Sequence, residues 1–88
     1  MLSTMRRDEI LKEAENLING TRSKEYGNAY QNHKKIARMW SEILGQDVSV
    51  QQVYMCMIAV KLSRLTKTPD HHDSWVDIIG YAALAGES

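Results

Sequence analysis

Eight consecutive apolar residues, Val53-Tyr-Met-Cys-Met-Ile-Ala-Val60, follow directly on Ser49-Val-Gln-Gln52, a sequence with the form of a helix capping box. A helix apolar on every side must be covered on several sides. This segment, roughly 49–66, is therefore either the central helix of the fold or a helix whose second face meets another subunit. Thr66-Lys-Thr-Pro69 stops it, because proline cannot continue a helix and restricts the residue before it.

The other segments arrange themselves around that one. Ile10, Leu11, Ala14, Leu17 and Ile18 recur at helical spacing and predict a first helix over roughly 5–19, with Ser3 or Thr4 as its cap and Gly20 at its end. Thr21 to Asn28 is polar, contains a Gly-Asn pair and reads as an ordered loop. Ile36, Met39, Trp40, Ile43 and Leu44 follow the i, i+3, i+4, i+7, i+8 template of a second helix over roughly 29–44, ended by Gly45. After Pro69, Asp70 is placed to cap a fourth helix over roughly 71–85, with Trp75, Ile78, Ile79, Ala82 and Ala83 as its apolar face. No segment alternates as a strand does. The expected class is all-α, a compact four-helix arrangement forming one domain over residues 1–88.

Eleven basic residues balance eleven acidic ones, so no global field draws the chain to nucleic acid or to an anionic membrane. Leu44-Gly45 through Val53 loosely imitates the turn of a helix-turn-helix, but the helix behind it is apolar where a recognition helix needs polar and basic side chains. DNA is not an expected partner. No apolar run approaches the ~20 residues of a membrane span, and the N-terminal residues lack the apolar core of a secretion signal. The lone Cys56 has no thiol partner, as suits a reducing compartment. The expectation is a soluble cytoplasmic protein. A domain this small buries only about 60–65% of its unfolded surface, which makes a homo-oligomer plausible.

Chemistry concentrates where the third and fourth helices meet. Lys61 and Arg64 share one helix face, and Asp73 and Asp77 share a face of the next. The cations suit a phosphate, arginine as a planar fork and lysine as a point charge. The carboxylates suit a hard divalent cation such as magnesium. The plain structural alternative is a salt-bridge network in which the four charges pair with one another. Gly80 suits a close helix–helix approach, and Tyr81 stands one turn beyond Asp77. Trp75 and Trp40 are core or interface candidates before they are stacking platforms. In the loop, Arg22, Tyr26 and Gly27 could contact a base or a phosphate, or form a plain turn around a packed tyrosine. His33, His71 and His72 show no metal-ligand spacing, and no Ser or Cys nucleophile stands beside a base.

The ordered set Arg22…Tyr26-Gly27, Ile36-Ala-Arg-Met-Trp40, Leu44-Gly45, Lys61-Leu-Ser-Arg64 and Asp73-Ser-Trp-Val-Asp77-Ile-Ile-Gly80-Tyr81 resembles a small domain of bacteriophages and prophages, a family without an assigned activity. The likeness covers roughly residues 20–86 and implies a phage-derived protein of the host cytoplasm. More distantly, Asp73, Asp77 and Tyr81 are similar to the second acidic motif of MazG-type all-α nucleoside triphosphate pyrophosphohydrolases, which bind magnesium. Here the acidic spacing is four rather than three. Lys61 and Arg64 also stand where that family places acidic ligands, and Glu9, Glu13 and Glu15 on the first helix are the available substitutes. The resemblance implies a nucleotide-like ligand more than it implies hydrolysis. Three functions follow as expectations: a protein binding a phosphorylated ligand, with Lys61 and Arg64 on phosphate and Tyr26, Trp75 or Tyr81 on a base; a magnesium-dependent pyrophosphohydrolase; and an adaptor that engages a host factor through apolar helix faces.

Overall fold

In the computed structural model, residues 6–20 and 29–87 are described. Among them the chain forms four helices and no strand: α1 (Arg7–Asn19), α2 (Ala29–Leu44), α3 (Val50–Lys67) and α4 (His72–Glu87). The expected all-α class is what the molecule shows. Residues 21–28, where a loop with Arg22, Tyr26 and Gly27 is expected, and the expected caps Ser3 and Thr4 lie outside the described residues.

Local chemistry explains most helix ends. At α1 the carboxylate of Glu9 reaches back to the backbone N–H of Arg6 at 3.2 Å, satisfying one of the donors a helix start leaves open. At α3 the capping box is complete: Ser49 Oγ accepts from the Gln52 N–H at 3.1 Å, and Gln52 Oε1 accepts from the Ser49 N–H at 2.8 Å. Gly45 ends α2 with φ 68°, the left-handed conformation that glycine adopts without a Cβ penalty. The expected Asp70 cap is not used. His71 precedes α4 and receives the Ser74 N–H at Nδ1 (3.3 Å), with the Ser74 hydroxyl 2.7 Å from the same nitrogen.

Packing departs from the apolar patterns in two helices. α4 lies between α1 and α3, and α2 packs on α3. On α4 the buried positions are Ser74, Val76, Gly80 and Leu84, while Trp75, Ala82 and Ala83 are exposed. The face chosen from its apolar residues thus lies largely on the outside, because α1 and α3 grip the helix along Val76, Gly80 and Leu84 instead. On α2 only Ala37 is fully buried; Met39, Ile43 and Leu44 of the expected stripe are exposed. The apolar run of α3 buries Val53 and Tyr54 and leaves Met55, Cys56, Ala59 and Val60 open. Gly80 makes the close approach expected of it: a Cβ there would lie 3.2 Å from Ile18 Cγ2 of α1.

Candidate functional site

Asp77 and Tyr81 of α4 stand half-buried against the neighbouring helices, so polar groups line part of the interior. A cavity of about 540 Å³ has walls from all four helices. Its polar wall residues are Asn32 and His33 of α2, Lys61 of α3, and Asp77 and Tyr81 of α4. Leu17, Ile36, Met57 and Leu84 are among its apolar ones.

Lys61 and Asp77 pair across the α3–α4 joint, Nζ to Oδ2 at 3.1 Å, with side chains 26% and 27% exposed. The two expected charge pairs do not form one cluster. Arg64 lies a turn further along α3, exposed, with no ion pair among the described residues. Asp73 faces α1 instead. Its carboxylate and those of Glu13 and Asp77 line a second hollow of about 440 Å³, together with Asn16. Glu13 Oε2 also meets His72 Nε2 at 3.0 Å, and a donor atom of each of Glu13, His72 and Asp73 lies within 4.8 Å of the others. Asp77 belongs to both hollows, so it joins the basic side of one to the acidic side of the other.

An aromatic group backs the larger cavity. His33 stacks obliquely on Tyr54 with ring centroids 4.7 Å apart, and meets Tyr81 edge-on at 5.7 Å. Tyr54 is wholly buried, and its hydroxyl finds no hydrogen-bond partner among the described residues. Burial, with smaller contributions from Tyr30 and Glu87, pushes its pKa up from 10.0 to about 12. Trp75 stands apart from this cavity. Its indole N–H donates to the Pro69 carbonyl at 2.8 Å, and the ring is 44% exposed.

Of the residues singled out in the sequence, Lys61, Asp77 and Tyr81 meet at one cavity, Asp73 joins the adjoining hollow, and Arg64 and Trp75 line neither. Glu13 gained a role only when the fold set the register of α1 against α4. His33 has no metal-ligand partner at a helical spacing in the sequence, yet it lines the cavity. Its spacing before Ile36, Ala37 and Trp40 already placed it on the inner face of α2, and that signal was available.

The fold defines a compact all-α domain, and among the described residues no helix is long and apolar enough to cross a membrane. The chain belongs to the family described as a domain of unknown function (DUF6378), whose model matches residues 9–88. It is 40% identical over 76 residues to the Gene 55 protein of Mycobacterium phage L5, covering 85% of this chain and 49% of that protein. To the Gene 55 protein of Mycobacterium phage D29 it is 41% identical over 75 residues, covering 85% and 50%. The chain therefore spans about half the length of the curated relatives it matches. No solved structure matches it. None of these matches carries the likeness to MazG-type enzymes.

Proposed function

We propose that this phage-type domain binds a phosphorylated small molecule, of nucleotide type, in the cavity between its helices. The observation that carries the reading is the inverted packing of α4. That helix buries Ser74 beside Val76, Gly80 and Leu84, holds Asp77 and Tyr81 half-buried at the cavity wall, and leaves Trp75, Ala82 and Ala83 in solvent. Departures of this kind from local pattern concentrate at functional sites. Lys61 is held at the cavity wall by Asp77 and can exchange that carboxylate for a phosphate oxygen, while Arg64 offers a second donor nearby on the same helix. Tyr81 supplies an aromatic wall. Arg22, Tyr26 and Gly27 carry no part of this reading, since they lie outside the described residues.

A screen of nucleotides by thermal shift, with and without magnesium, tests it. Stabilisation by at least one nucleotide, lost in Lys61→Met, is the expected result. No shift with any nucleotide would remove the proposal.

One observation favours the enzyme version. Glu13 and Asp73 bring carboxylate oxygens within 4.8 Å of each other and of a His72 ring nitrogen, and Asp77, paired with Lys61, lines the same hollow, so oxygen donors of the kind magnesium takes stand near one another. Those residues would hold the ion, which would neutralise phosphate charge and activate a water. Magnesium-dependent release of pyrophosphate, abolished by Glu13→Gln and by Asp77→Asn, would establish it; binding without turnover would leave a binding protein. We also propose that the protein works in the host cytoplasm as a homodimer or higher oligomer. Met39, Ile43, Leu44, Met55, Val60 and Leu62 leave apolar area on the order of several hundred Å², approaching the ~800 Å² per partner of a standard interface. The same side chains would serve an adaptor that captures a host protein.

A further inference from the structure

One side chain in the cavity wall has its proton position fixed by its neighbours. His33 Nδ1 lies 2.8 Å from the carbonyl oxygen of Ala29, one turn back on α2. A carbonyl oxygen only accepts, so the ring hydrogen belongs on Nδ1, and the neutral imidazole carries its lone pair on Nε2. The ring is also held in place. Tyr54 stacks against it at 4.7 Å and Tyr81 meets it edge-on at 5.7 Å, and Tyr54 is itself fully buried. Nε2 has no hydrogen-bond partner among the described residues. The ring lines the cavity, and Nε2 is the polar atom it has left to offer.

Of the other polar wall groups, Asn32 and Tyr81 can each donate as well as accept, and the two charged ones are already matched. Lys61 is a donor suited to an anion. Asp77 already accepts from Lys61. A neutral imidazole nitrogen held by two aromatic rings is matched instead to a neutral N–H or O–H. We propose that His33 Nε2 is the acceptor through which the cavity recognises a hydrogen-bond donor on the uncharged part of its ligand. A base amino group and a sugar hydroxyl share that chemistry. The proposal rests on the ligand-binding reading above for the cavity, but not on the phosphate assigned to Lys61.

Its test uses ¹⁵N-labelled protein and four probes: adenosine, adenine, ribose and inorganic phosphate. Two-bond ¹H–¹⁵N spectra of the free protein should show His33 with hydrogen on Nδ1. Adenosine should shift the Nε2 resonance, and whichever of adenine and ribose reproduces the shift identifies the donor. His33→Leu should weaken adenosine binding about tenfold, the loss expected for one hydrogen bond to a buried acceptor. His33→Gln, whose side-chain oxygen accepts, should recover most of it, and both variants are compared at matched melting temperature. A hydrogen on Nε2, or equal adenosine affinity in His33→Leu, would overturn the proposal. If phosphate binds through Lys61 while adenosine, adenine and ribose leave His33 unmoved, this proposal fails and the phosphate reading stands. If adenosine engages His33 and phosphate binds nowhere, the outcome is reversed. If no probe binds, both fail.

Discussion

Lys61 and Asp77 illustrate how little a paired charge contributes to stability where it is a quarter exposed. At 3.1 Å, with side chains 26% and 27% accessible, the pair is partly screened, and a double-mutant cycle with Lys61→Met and Asp77→Asn should return a coupling of about 1 kcal/mol or less in urea unfolding. A pair this weakly held is one that an incoming anion can divert. Tyr54 behaves differently because it is wholly buried. Its hydroxyl is neutral in the fold, with a pKa near 12 against 10.0 outside it, so the folded state holds the proton more tightly. Stability linked to this group is complete below pH 10.0 and is lost as pH rises toward about 12. Relative to Tyr54→Phe, the wild type should lose roughly 2–3 kcal/mol across that window, followed by chemical unfolding at stepped pH. At neutral pH the same substitution should be neutral or slightly stabilising, since it removes a buried hydroxyl without a partner among the described residues.

At the scale of the helix, the start of α3 and the end of α2 were legible, and the buried faces of α2 and α4 were not. Ser49 and Gln52 announced the start of α3, and both reciprocal hydrogen bonds are made; Ser49→Ala should cost about 1 kcal/mol in equilibrium unfolding. Gly45 announced the end of α2. Caps are written in residues adjacent along the chain, so sequence reaches these two, though at α4 His71 and Ser74 take the place expected of Asp70. The buried face of α4 depends instead on which helices grip it, and that is tertiary information. Trp75, Ile78 and Ala82 follow a sound apolar pattern, yet the helix is seated by Val76, Gly80 and Leu84. Gly80 holds the clue: glycine is a poor helix residue, and its place is against Ile18. Gly80→Val should destabilise by about 1–3 kcal/mol through overpacking of the α1–α4 joint, read as a lowered melting temperature, whereas an equally large change at exposed Ala82 should be nearly silent.

For the whole molecule, the expected charge cluster resolves into two joined hollows, one with Lys61 and aromatic rings, the other with Glu13, Asp73 and Asp77. Lys61, Asp77 and Tyr81 were visible in the sequence because helical spacing put each pair on one face. Glu13 was one of three candidates on α1 whose register the sequence does not fix, and the place of His33 depends on how α2 sits against α3 and α4. The outer surface carries the opposite character. Met55 at 59% exposure and Val60 at 58% lie on the open side of α3, and introducing glutamate at both should shift a self-associating protein to monomer in sedimentation equilibrium without lowering its helical content. The claim on which the rest depends is that the inner polar cavity holds a phosphorylated ligand. Calorimetric titration of nucleoside mono- and triphosphates into the wild type and Lys61→Met tests it most directly. Saturable binding is expected, with one site per chain and an affinity at least about tenfold weaker in Lys61→Met, the share of a single charge-assisted contact. Heat that never saturates for any nucleotide, or the same affinity in both proteins, would contradict it.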